Sequence, residues 1–163
     1  MIVSSESMGV TLSIFERLTD RSPSVSKDPP HYRSASVGGL AASVIEHLSA
    51  LLNVRRSDHP QDSAFPETSS SIAAYGVVDF SSLSLANPVD REKLRRSLER
   101  AIRLFEPRLW RVHVVLEDWK PQDPGLRFRI EATLRVEPII EPVVFSALLA
   151  KDMRRLELAE AQR

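Results

Sequence analysis

Apolar residues recur along this chain at two different periods, and the change from one to the other falls at a single short seam. Leu94, Leu98, Ala101, Ile102 and Phe105 follow helical spacing and predict an amphipathic helix. Asn87-Pro88 supplies its start, an N-cap residue followed by a proline at the first helical position. Asp90 and Glu92 place negative charge in its first turn. Downstream, 126–137 alternates without a break. Leu126, Phe128, Ile130, Ala132, Leu134 and Val136 take one side, and Arg127, Arg129, Glu131, Thr133 and Arg135 the other, which is the period of a half-buried strand. Trp110, Val112, Val114 and Leu116 predict the apolar face of a preceding strand, against Arg111, His113 and Glu117, with Val115 interrupting the polar side. The segment 121–125 supplies the turn between the two.

Elsewhere the pattern is shorter. Leu40, Val44, Leu48, Leu51 and Leu52 mark one face of a helix over 37–54, with Asn53 and Arg55 at its negative end. Leu12, Ile14, Phe15 and Leu18 predict a short helix over 11–18. The Ser- and Pro-rich segments 21–36 and 57–71 read as loops, the second long enough to suggest disorder or an interaction loop. Residues 143–149 are open to both readings: the β-branched start favours strand, the Ala- and Leu-rich remainder favours helix. The resulting fold class is α/β (α+β), about three helices packed on a small mixed or antiparallel sheet of three to four strands. We expect a single domain: a helix and Ser/Pro-rich arm over 1–36, the α/β body over 37–149, and a tail over 150–163 that is either strand or helix.

Composition narrows the function. Hydrophobic residues make up 42% and charged residues 27% of 163, the profile of a globular chain with a real core. Lys plus Arg equals Asp plus Glu at 22 each, so no net field draws the chain to nucleic acid or an anionic membrane, while association is eased. With no cysteine, disulfides, thiolate metal sites and Cys nucleophiles are excluded. No apolar run approaches the roughly 18 residues that span a bilayer, and no secretory leader is recognisable; a cytoplasmic location is the expectation.

Candidate chemistries are few. Arg91, Lys93, Arg95, Arg96, Arg100 and Arg103 make one helix basic, but Glu92 lies four before Arg96 and Glu99 four before Arg103, which predicts a solvated face of helix ion pairs. The histidines are scattered, and Asp58, His59 and Asp62 sit in a loop without metal-site spacing, so no metal is expected. Neither a phosphate-binding Gly-rich loop nor a Gly-x-Ser-x-Gly elbow occurs. A glycosidase would need two carboxyl groups with opposed protonation. Glu106 is the most conspicuous carboxylate, and Arg108 two residues on would favour its ionised form, the wrong direction for a general acid. No catalytic residue and no cofactor are assigned.

The seam itself is Glu106-Pro107-Arg108-Leu109. Pro107 biases Glu106 away from helical geometry and ends the helix. Residue logic leaves two uses for the charges, an intramolecular salt bridge or a rigid docking element.

Several segments together resemble the TssE family, the small baseplate subunit of bacterial type VI secretion systems, related to wedge proteins of contractile phage tails and in part historically labelled lysozyme-like. They are Ser13-Ile14-Phe15-Glu16-Arg17-Leu18; Ser43-Val44 with Leu48 and Leu51-Leu52-Asn53-Val54-Arg55; Tyr75-Gly76 with Asp79-Phe80; Glu106-Pro107-Arg108-Leu109; and Pro142-Val143-Val144-Phe145. The resemblance covers about 12–149, and 57–71 departs from the shorter connection it leads one to expect. It implies strand for 143–149 and no enzymatic activity, with a peptidoglycan hydrolase as the alternative. It implies a heteromeric wedge with TssF, TssG and TssK, docking on TssF–TssG through Glu106, Pro107 and Arg108. A sheet containing Val143, Val144 and Phe145 would then seed the TssB–TssC sheath by strand addition, with neither nucleic acid nor membrane insertion involved.

Overall fold

The computed structural model describes residues 10–11, 18, 23–24, 34–35, 37–56, 65–137, 139–152 and 155–160. In chain order these form β1 (Val10–Thr11), β2 (Ser34–Ala35), α1 (Val37–Asn53), β3 (Arg55–Arg56), two 3-10 turns (Pro66–Ser70 and Ile72–Ala74), β4 (Val77–Val78), α2 (Pro88–Phe105), β5 (Leu109–Leu116), β6 (Gly125–Val136), β7 (Ile139–Ala150) and β8 (Leu156–Glu160). The body is an antiparallel sheet in the order β5-β6-β7-β8. β1 and β2 pair antiparallel, and β3 and β4 pair parallel.

Both long helices form where periodicity places them. Asn87 caps α2, its side chain accepting from the Val89 N–H at 3.0 Å, with Pro88 at the first position. Leu94, Leu98, Ala101 and Ile102 are buried from α2, and Leu40, Val44, Leu48, Leu51 and Leu52 from α1. They close over Leu126, Phe128, Ile130, Ala132 and Leu134 of β6, the apolar face the alternation predicts, and over Phe145, Ala147 and Leu149 of β7. The expected α+β class is thus observed with two α-helices among the described residues instead of three. The helix expected over 11–18 lies almost wholly outside those residues; of the two that are described, Thr11 belongs to β1 and Leu18 is helical.

The ambiguous segment 143–149 is strand, the centre of a twelve-residue β7 that pairs with β6 from Val136↔Ile139 to Gly125↔Ala150. Segment 150–163, expected as a tail, supplies β8, whose Leu156 is buried. Within 57–71, residues from Pro66 form a 3-10 turn; 57–64 lie outside the described residues. Gly76 has φ +101°, and a Cβ there would stand 2.6 Å from the Val54 carbonyl oxygen, which accepts from the Val77 N–H. That close approach lets β4 run beside β3, and only glycine permits it.

One expectation fails on β5. Trp110 does not face the core: it is 51% exposed. The register slips between Trp110 and His113, and Arg111 sits at φ 54°, so Trp110 and Arg111 both point outward before Val112 and Val114 return to the core. An extra residue in one strand inverts the facing of what precedes it.

Each outer edge of the sheet is met by helix side chains. In β8 the Leu156 N–H donates to Asn53 Oδ1 and Asn53 Nδ2 donates to the Leu156 carbonyl, both at 2.9 Å. Nδ2 also donates to the Ser49 carbonyl at 2.8 Å. Asn53 therefore ends α1 and pairs one residue of β8 as a neighbouring strand would. Asn53→Ala is expected to lower stability by about 1–2 kcal/mol, because the Leu156 groups lose their partners. Urea denaturation monitored by circular dichroism measures this, and an unchanged midpoint would show that water replaces the amide fully.

Candidate functional site

Glu106-Pro107-Arg108-Leu109 is a β-turn closing the angle between α2 and β5. Glu106 ends the helix, its N–H donating to the Ile102 carbonyl at 2.9 Å, and its own carbonyl accepts from the Leu109 N–H at 3.0 Å. Pro107 thus occupies the second position of the turn, where its fixed φ is suited. Arg108 follows, its carbonyl accepting from the Arg135 N–H of β6 at 2.8 Å. Leu109 opens β5 and is buried, while Pro107 is exposed.

The charges of the turn meet each other. Arg108 Nε donates to Glu106 Oε1 and Nη2 to Oε2, both at 2.7 Å, a bidentate pair. Glu106 is only 3% exposed, and a carboxylate in that position requires a cation. The helix dipole adds to the demand, since Glu106 stands at its negative end. Arg108 also donates from Nη1 to Ser43 Oγ at 3.0 Å and from Nη2 to His47 Nδ1 at 2.7 Å, both on α1. As Nδ1 accepts, the His47 ring carries its proton on Nε2. Burial raises the Tyr75 phenol above its usual value, and the Glu106 charge adds to the rise.

Of the two uses the sequence leaves open, the structure forms the intramolecular salt bridge, with the planar guanidinium fork of Arg108 holding Glu106. The Arg108 side chain still shows 20% of its surface to solvent, next to a half-exposed His47 and the exposed Pro107. Ser43 and His47 lie more than sixty residues before Arg108. Their spacing on α1, four apart, is the only sequence trace of a shared target.

Val143, Val144 and Phe145 sit on β7, away from this turn. Phe145 is 1% exposed and has strands on both sides, paired with Ile130 of β6 and Glu160 of β8, so it offers no backbone edge. Val143 packs against the core, and Val144 turns to solvent.

The basic face of α2 departs from a simple solvated surface. Glu92 does take Arg95 and Arg96, whose hydrogen bonds hold its carboxyl down to about 2. Glu99 is instead buried, accepting from Arg95 and Arg103 and, at 3.0 Å, from the Val114 N–H. Arg103 donates to the Val112 carbonyl at 2.7 Å. Val112 and Val114 turn these groups away from β6, so two side chains of α2 cover the middle of the β5 edge. Helical spacing reveals the Glu99–Arg103 pair but not that it faces a strand edge. No group of three or more His, Asp or Glu suited to a metal occurs among the described residues.

Arg108→Ala would leave Glu106 buried without its cation. We expect a loss of about 3–5 kcal/mol, a fall in Tm on the order of 10 °C for a chain of this size. The double variant Glu106→Gln/Arg108→Ala should recover part of that loss, because the two sites share one interaction. Thermal melting of Glu106→Gln, of Arg108→Ala and of the double variant provides the check; simple additivity would mean that the pair contributes no coupling.

Among curated proteins, none matches the chain. A family model, Baseplate wedge protein gp25, matches residues 39–139, from the first turn of α1 to the start of β7. That span includes α2, the Glu106-Pro107-Arg108-Leu109 turn with its partners Ser43 and His47, and the first two strands of the main sheet. It covers more than half of the 163 residues, and the chain belongs to the baseplate wedge protein gp25 family.

Proposed function

We propose that this chain is a TssE-type, non-enzymatic subunit of a type VI secretion baseplate, acting in the cytoplasm within a wedge of TssF, TssG and TssK. The family match carries the reading. The rigid turn at the end of α2 is its docking element for TssF–TssG. Pro107 presents an exposed tip, and the Glu106–Arg108 pair, anchored to α1, fixes the shape of that tip. Arg108 thus acts by holding the turn. The buried carboxylates Glu99 and Glu106 are each engaged by arginine, which leaves them structural work in place of acid catalysis.

Sheath seeding by strand addition requires a strand edge with unpaired backbone groups. The β5 edge is covered at Val112 and Val114, and the β8 edge at Leu156. Along β8, alternate residues turn their N–H and C=O groups outward, so Leu158 is the next outward position after Leu156. We assign sheath addition to that outer edge of β8, with Val143, Val144 and Phe145 supporting it from β7.

Co-expression with TssF–TssG and with TssB–TssC tests both contacts. Wild type should retain each complex. Pro107→Glu, which places a charge on the exposed tip, should lose TssF–TssG and keep its fold by circular dichroism. Leu158→Pro removes an outward N–H that the β7–β8 ladder does not use, so it should lose TssB–TssC and retain TssF–TssG. A folded wild type that retains neither complex would overturn the reading.

A further inference from the structure

The face of the main sheet opposite the helices carries an apolar patch made partly by backbone strain. Arg111 at φ 54° occupies the left-handed region, which is strained for a residue with a Cβ. The consequence of that bulge is to turn Trp110 outward, with the Arg111 guanidinium stacked 4.4 Å over its ring. Register places Trp110 across from Thr133 and, one strand further, Pro142. On the same face of β7, Ile140 is 70% exposed and Val144 37%. Trp110, Ile140 and Val144 thus bound a patch roughly 10 Å across the strands and 13 Å along them.

Its surroundings are basic. Arg127, Arg129 and Arg135 project from β6 to this face and Arg111 from β5; Glu131 lies among them, 3.8 Å from Arg129. Arg111, stacked on the ring, and Arg135, two residues along β6 from Thr133, are the arginines of this face nearest Trp110. Tryptophan and arginine are the residues that most often dominate binding energy at protein interfaces. Two turns of helix, about 11 Å, match the length of the patch. Ile140 and Val144 offer no flat surface for base stacking, which disfavours nucleic acid.

We infer that this sheet face is a second docking surface and that its occupant is a partner helix with an apolar stripe flanked by aspartate and glutamate. The inference rests on the baseplate reading for the assembly that supplies this helix; the surface adjoins the α2–β5 turn on the sheet face opposite the helices and does not use the outer edge of β8.

The test places a photo-crosslinking phenylalanine analogue at position 140 in the full chain, co-expressed with TssF–TssG and TssB–TssC, beside Trp110→Ala and Arg135→Glu. The crosslink should map to an acidic, apolar-striped segment of one of those subunits. Trp110→Ala should weaken capture of that subunit at least about tenfold, with Tm changed little. Added salt should weaken wild-type capture more than that of Arg135→Glu. If wild type captures subunits but the crosslink falls within the same chain or on nucleic acid, or Trp110→Ala captures equally well, this inference falls and the baseplate reading stands. If wild type captures no subunit, both fall.

Discussion

A carboxylate sealed at the negative end of a helix needs a cation fixed beside it, and in this protein that requirement organises the junction of α1, α2, β5 and β6. Glu106 ends α2, and the guanidinium of Arg108 grips both of its oxygens. The same guanidinium reaches Ser43 and His47 of α1, while the Arg108 carbonyl accepts from β6. One ion pair thus sets the exit angle of α2, the start of β5 and the position of α1 over the sheet. Its rigidity follows from the proline between the charges, which removes a degree of freedom from the loop that joins them.

A four-stranded open sheet has two edges, each a row of backbone groups seeking partners. Here both helices answer with polar side chains as well as apolar faces. Glu99 and Arg103 cover β5 at Val114 and Val112, and Asn53 covers β8 at Leu156. Cover is local on β8, which leaves its outer edge beyond Leu156 as the place where another strand could continue the sheet. The two edges are thus unequal: side chains of α2 cover the middle of β5, while on β8 only Leu156 is covered by Asn53.

The bulge on β5 is the local rule this sequence breaks. Strict alternation would bury Trp110, and no glycine stands at the position where the backbone turns left-handed. Strain held beside an exposed aromatic is a feature of surfaces used for recognition. It also turns the tryptophan onto the sheet face opposite the helices, directly after the turn that ends at Leu109.

Much of the body was legible in the sequence. The two α-helices, the buried set on β6 and the cap at Asn87 follow from periods of 3.6 and 2 and from side-chain hydrogen bonding, which depend on residues close in sequence. Residues 143–149 were not decidable by period, because Val144 and Leu148 on the outer face are as apolar as Val143, Phe145 and Leu149 on the inner one; long-range pairing with β6 and β8 settled it. Trp110 was misplaced because one inserted residue reverses every facing beyond it, and alternation carries no mark of the insertion. The chemistry of the seam, a buried acid two residues from an arginine, was readable as two charges and a proline. Local sequence determined the helices, the alternating strand and the turn. Tertiary structure alone decided that Arg108 turns inward, that Glu99 and Asn53 serve strand edges, and that Trp110 faces outward, because each depends on groups brought together from distant parts of the chain.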